Sequence, residues 1–215
     1  MMRRVTLSVW YFFMTTQTLK TEQFPSRGKN TDHRQREYLF SSEIETLLFA
    51  AKQNKRCGQR NYCLVLLGYK HGLRASEFGL LRWDSIDWEK GTIAITRVKG
   101  SDSGTHHLSG KETRELRKLK REDGKQSPFV FVGESGGPLA ATAVSAIVKR
   151  MGTVKDGYLL GFSIHAHMLR HTCGYLLAEC GTDIRITQAW LGHREISNTV
   201  KYTKLSSSAF KGIDI

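Results

Sequence analysis

SIHAHMLRHTCGYLLAECGTDIRITQAWLGHREISNTVKYT, residues 163–203, sets what the rest of the chain must support. It holds His167, Arg170 and His171 in HMLRH, then Leu191-Gly192-His193, then Lys201-Tyr202-Thr203. Arg170 follows His167 by three residues, so on a helix both side chains point to one face. Cys173, Leu176, Leu177 and Cys180 repeat at i, i+3, i+4, i+7, which predicts a helix with both sulfurs on its buried stripe. Gly181 divides that helix from a second one in DIRITQAWL. Cations, imidazoles and one tyrosine at this spacing point to a pocket for a phosphate that a phenol can attack.

Upstream, the globular part begins near Tyr38. In SSEIETLLFAAKQ, Ile44, Leu47, Leu48 and Ala51 mark one helical face, and Ser42 with Glu45 fits a capping box. RNYCLVLLGYKHG predicts a second apolar helix ended by Gly72. Arg74 to Glu77 opens a short helix reaching about Leu81. The character then changes: Ile86 and Trp88, the turn Lys90-Gly91, the alternating Thr92–Thr96 and a short strand Thr105–Leu108 predict a small antiparallel sheet. KETRELRKLKRED sets Leu116 and Leu119 among basic residues and reads as a solvated surface helix, with a DNA-facing role as the alternative. SPFVFVG is short, buried and extended, and residues 139–151 supply another helix. The expected fold class is mainly α (α+β): helices around a small three-stranded antiparallel sheet.

The bulk numbers fit one good-sized domain with an arm. Lys and Arg number 33 against 20 Asp and Glu, a formal charge of +13. That excess favours a polyanionic partner, nucleic acid before an anionic membrane surface. The four cysteines, Cys57, Cys63, Cys173 and Cys180, contain no C-x-x-C pair and read as reduced thiols of a cytosolic protein. The apolar run VTLSVWYFFM (residues 5–14) is too short to span a bilayer and no A-x-A-like cleavage site follows it; it reads as a packing arm or an early start. Residues 15–36 are polar, carry Pro25 and Gly28, and read as a linker. The expected division is an arm and linker over residues 1–36 and a single domain over residues 37–215.

A phosphodiester attacked without a metal needs donors already aimed at its non-bridging oxygens. Arginine suits this, because its planar fork binds phosphate bidentately and keeps its proton. Arg74 has Glu77 three residues on to hold it, in a stretch apolar enough to bury it partly; a plain surface ion pair is the bland reading. The pair His167 and His171, at i, i+4, is acceptable zinc spacing, but H-E-x-x-H is absent and Arg170 between the imidazoles repels a dication. Tyr202 is a weak nucleophile at its ordinary pKa unless cations and a base assist it, and alone it reads as a core tyrosine. Lys99 alone reads as a DNA-backbone contact or plain surface, and His193 as a helix end where imidazolium suits the dipole.

Taken in order, Arg74 in GLRASE, Lys99 after the second strand, HMLRH, LGH and Tyr202 form five motifs that resemble the tyrosine recombinase (phage integrase) family, especially its short fimbrial phase-switch recombinases. The resemblance covers roughly residues 38–203. It implies a site-specific DNA recombinase that cleaves and rejoins double-stranded DNA through a covalent 3′-phosphotyrosine, with neither metal nor nucleotide cofactor. Carried over by position, Arg74 and Arg170 clamp the scissile phosphate and His167 and His193 complete the donor set, His167 also helping to activate the phenol. Lys99 protonates the departing 5′-oxygen, and Tyr202 attacks phosphorus. Glu77 orients Arg74, and His171 is a supporting residue. The resemblance further implies a homo-oligomer on DNA, up to a tetramer, in the cytoplasm with the nucleoid and away from membranes. Family members often carry a separate amino-terminal DNA-gripping domain, whereas the segment before residue 38 reads here as an arm; Leu205, Phe210 and Ile213 are the residues available to dock on a neighbouring protomer. A non-catalytic DNA-binding regulator derived from an integrase, and a type IB-like topoisomerase, are the rival readings. Phosphate neutralisation gives either the same basic charge.

Overall fold

The computed structural model describes residues 36–98, 100–123, 127–155 and 157–203. The expected arm and linker, Lys99 and the docking residues Leu205, Phe210 and Ile213 lie outside them. Helix α1 (Ser41–Lys52) leads to α2 (Gly58–His71), which is buried on nearly every face from Gln59 to Gly68. A helix apolar all round belongs in the middle of a domain, and α1, α4 (Gly110–Asp123) and α6 (Ala166–Glu179) all pack around α2. Between them lie the single turn α3 (Ala75–Phe78), a 3₁₀ turn at Trp83–Ser85, and α5 (Ala141–Met151). Helices α7 (Ile184–Leu191) and α8 (Ser197–Thr203) close the described chain.

The sheet has the expected form: β1 (Ile86–Asp87), β2 (Thr92–Ile95) and β3 (Gly104–His107), antiparallel in that order. Ile93 faces His106 across the β2–β3 pair and both are buried, as is Ile95. The opposite face, with Ala94 and Thr105, is exposed, which is the alternation of a half-buried sheet. The SPFVFVG stretch is extended: Val130 donates its N–H to the Leu81 carbonyl at 2.8 Å, and Val130 and Phe131 are buried. Helix α4 turns Leu116 and Leu119 inward as expected, and Glu112 with them.

Three details depart from expectation. The cap of α1 is Phe40, whose backbone N–H is met by the Glu43 carboxylate at 2.8 Å, so Ser42 and Glu45 form no capping box. Ser42 is already inside the first turn, where its carbonyl accepts the Thr46 hydroxyl. Cys180 is exposed, because α6 ends at Glu179 and the i+7 position falls on the cap beyond the last turn; Cys173 is buried. A hairpin of β4 (Thr153–Val154) and β5 (Gly157–Tyr158) follows α5, each strand too short to show alternation in sequence. Among the described residues no helix is long and apolar enough to cross a membrane.

Leu67 in α2 is completely buried in the main cluster. Leu67→Ala should lower the unfolding free energy by about 2–5 kcal/mol in chemical denaturation, while Arg114→Ala on the exposed face of α4 should stay within about 0.5 kcal/mol.

Candidate active site

Two glycine turns frame the site. Gly72 ends α2 with φ 60°, and Gly192 ends α7 with φ 67°. A Cβ on Gly72 would come within 2.5 Å of Leu191 Cδ2, and one on Gly192 within 2.5 Å of the Asp102 carbonyl oxygen, so backbone conformation and space both demand glycine. Arg74 lies two residues beyond the first turn and His193 directly after the second.

Two buried arginines tie these turns together. Arg170 donates through Nη1 to the Gly72 carbonyl and through Nη2 to the Leu191 carbonyl, the latter at 2.7 Å. Arg97 donates to the carbonyls of Gly72 (3.1 Å), His71 (2.8 Å) and Trp190 (2.7 Å), and to Glu77 Oε2 at 2.7 Å. Glu77, itself without solvent exposure, also accepts from the Arg74 backbone N–H at 2.9 Å and from Arg74 Nη1 at 2.8 Å. Burial alone would raise the Glu77 carboxyl, but the charge of Arg97 and the hydrogen bonds from Arg74 and Arg97 outweigh it and hold it below the usual carboxylate value.

Three guanidiniums, those of Arg74, Arg97 and Arg170, therefore gather about this one buried carboxylate. Arg170 is depressed to about 10, first by burial and then by the charges of Arg74 and Arg97. The imidazoles record the same field. His193 is pushed down to about 3 by burial, then by Arg170, Arg74 and Lys201. His171 is pushed down to about 3 by burial, then chiefly by Lys201. His167 is lowered by burial and by Arg170. All three are neutral at pH 7. A desolvated pocket with surplus positive charge and uncharged donors is built for an anion.

Tyr202 stands beside it on α8, 1% exposed. Its hydroxyl lies 3.1 Å from His171 Nδ1. The ring lies on Gly174, where a Cβ would come within 2.6 Å of it, with Tyr175 edge-on at 5.1 Å and His193 parallel at 6.3 Å. Burial holds the phenol well above its usual pKa, against the pull of Arg170, so it is protonated at rest. Lys201 Nζ lies 5.1 Å from the ring, and His193 Nδ1 meets Thr199 Oγ1 at 2.9 Å.

The structure thus brings together Arg74, Glu77, His167, Arg170, His171, His193 and Tyr202. The phenol's partner is His171, expected as a supporting residue, while His167 sits against His171 ring to edge at 4.5 Å. Among the described residues no three His, Cys, Asp or Glu side chains gather as for a metal ion. Arg97 escaped the sequence reading, although strand parity held the signal: Ile93, Ile95 and residue 97 share one face, so an arginine there is aimed inward and requires a carboxylate.

Such a fold sets a buried phenol beside a pocket with a surplus of guanidinium charge. The chain belongs to the phage integrase family, which it matches over residues 37–208. It is 40% identical over 186 residues to the type 1 fimbriae regulatory protein FimB of Escherichia coli K12, covering 85% of this chain and 91% of FimB. It is 30% identical over 190 residues to the tyrosine recombinase XerC of Bacillus licheniformis, covering 84% of this chain and 60% of XerC. In fold it resembles the crystal structure of XerA recombinase with a TM-score of 0.67 at 23% identity, over 80% of this chain and 62% of that one. The protein is a tyrosine-type site-specific DNA recombinase.

Arg97→Ala should cost about 3–5 kcal/mol by leaving buried Glu77 without its buried partner and with only the more exposed Arg74, read from denaturation midpoints. Because the folded Glu77 value is lowered, its stabilising contribution is complete above the usual 4.5 and is lost as pH falls through the folded value. Glu77→Gln should therefore flatten that acid limb. Gly174→Ala should expel the Tyr202 ring at a cost of about 1–3 kcal/mol, and nitration mapped by mass spectrometry should find Tyr202 newly reactive.

Proposed function

We propose that Tyr202 is the nucleophile that cuts and rejoins double-stranded DNA in this pocket. The phenol oxygen bonds to phosphorus, the bond from phosphorus to the 5′-oxygen breaks, and a 3′-phosphotyrosine holds the strand. Arg74 and Arg170 bind the non-bridging oxygens, and His167 and His193 add neutral donors. The departing 5′-oxygen takes its proton from Lys99, as expected from the resemblance. The phenol's own proton goes to His171, whose Nδ1 it already faces. His171 is a poor base because burial, and then the charges of Lys201 and Arg170, outweigh the exposed Glu37 carboxylate 3.3 Å from its Nε2. An incoming phosphate supplies the missing negative charge and raises its basicity, so substrate binding switches on proton transfer.

The observation that carries this reading is the surplus of guanidinium charge beside a buried phenol. Splitting the transfer into two matched steps conserves the phosphodiester energy, so resealing needs no nucleotide and no metal. Exchange between two duplexes requires several protomers on DNA, in keeping with a homo-oligomer up to a tetramer, acting in the cytoplasm at the nucleoid.

A nicked duplex carrying a cleavable site lets the cut fragment diffuse away and traps the adduct. Wild type should form a covalent protein–DNA adduct on it, Tyr202→Phe none, and Arg170→Ala one formed about 10²–10³ more slowly. EDTA should leave the yield unchanged. Binding without any adduct would instead identify a regulator that only holds DNA. Relaxation of supercoiled plasmid by a lone protomer would identify a topoisomerase.

A further inference from the structure

Beneath the two glycine turns lies a buried network that the phosphate pocket does not use. His71, the last residue of α2, has its Nε2 2.7 Å from Glu112 Oε1 and its Nδ1 3.1 Å from His106 Nδ1. Glu112 Oε2 accepts from Ser109 N at 3.0 Å and from the Ser109 hydroxyl. The His106 ring packs 3.9 Å from Trp190, and His71 stacks on the same indole at 5.9 Å and 20°. Trp190 Nε1 donates to the Lys70 carbonyl at 3.1 Å. His71, His106 and Glu112 are each at most 3% exposed. The cluster joins α2, β3, α4 and α7.

Its protons are determined by its acceptors. Burial would raise the Glu112 carboxyl, but His71 and Ser109 outweigh that and hold it below the usual range, so it is an ionised acceptor at neutral pH. His71 Nε2 therefore carries a proton. His106 is pushed down to about 3 by burial, then by His71 and Arg97, so it is neutral. The contact between the two Nδ1 atoms then holds a single proton. Both ring nitrogens of His71 have partners, which gives the ring one orientation.

We propose that Glu112, acting through His71, is a positioning residue for the phosphate pocket. Residue 71 is gripped twice: its carbonyl by Arg97 and its ring by Glu112. Residue 190 is gripped likewise, its carbonyl by Arg97 and its indole by the two histidines. These are the residues before Gly72 and Leu191, whose carbonyls Arg170 ties together, and from which the chain runs to Arg74 and His193. Rotation of the His71 ring is thereby transmitted to both turns and to the donors they carry. Buried ionised groups are a costly way to fill space that apolar side chains would fill at least as stably, and their return is a fixed direction. A displacement of about 1 Å remote from the chemistry can cost about 10²-fold in rate.

The proposal rests on the recombinase reading, and its test separates the two. The substrate is a nicked duplex carrying a site that wild type cleaves, obtained by selection from a random-sequence duplex pool. Single-turnover adduct formation, affinity for the intact duplex and melting temperature are measured for wild type, Glu112→Ala, Glu112→Gln and Ser109→Ala. Glu112→Ala should form adduct 10-fold to 10²-fold more slowly with unchanged DNA affinity. Glu112→Gln, which still offers His71 an acceptor, should recover most of the rate. Ser109→Ala, a milder loss, should slow the reaction several-fold without loss of folding and decides the matter should Glu112→Ala not fold. Undiminished rates in folded Glu112→Ala or Ser109→Ala overturn the positioning role while the recombinase reading stands. So does a rate loss that only follows melting temperature or DNA affinity. No adduct from wild type overturns the recombinase reading, and the positioning role falls with it.

Discussion

The buried pair of Glu77 and Arg97, 2.7 Å apart, is the constraint on which the site depends. A carboxylate without solvent exposure is tolerable only when paired and fully hydrogen-bonded, and Glu77 satisfies this by accepting from Arg74 and Arg97 together. Arg74 is thus fixed before any substrate arrives. Arg97 also donates to three carbonyls of the two glycine turns, and Arg170 to two, with further N–H groups of Arg170 left over. One negative charge cannot neutralise three guanidiniums. Burial first, and these cations after it, depress the values of His167, His171 and His193.

The proposed nucleophile is arranged differently from the proposed donors. Tyr202 packs with Cys173 and Leu191 in a small cluster separate from the main core. With its hydroxyl on His171 and its ring sealed over Gly174, the phenol is withheld from solvent in this state.

Much of this was legible in the sequence, and the boundary is physical. The periodicity of RNYCLVLLGYKHG and HMLRHTCGYLLAEC identified α2 and α6, because long apolar helices write a strong signal over many residues. The sheet was readable from alternation and the Lys90-Gly91 turn. The ordered motifs named Arg74, Glu77, Arg170, His171, His193 and Tyr202, all of which meet in space. Helix α8 was missed because seven residues, Thr199 and Val200 among them, carry neither a period nor strong propensity. Arg97 and the His71–His106–Glu112 cluster were missed because their partners lie 20 to 41 residues away in the chain. Strand parity marks residue 97 as inward, but pairing at such range leaves no local sign of the partner. Cys180 fell on the wrong side of a helix end that periodicity alone does not locate.

The central claim is that Arg74, Arg170 and His193 share one phosphate, which Tyr202 attacks. Its most direct measurement is a structure of the protein with vanadate and the two fragments of a cleaved duplex. The account predicts vanadium bonded to Tyr202 Oη, with its oxygens about 2.7–3.1 Å from donors on Arg74, Arg170 and His193. Vanadium seated away from Tyr202, with the hydroxyl still on His171 and Arg170 still bound only to the Gly72 and Leu191 carbonyls, would contradict it.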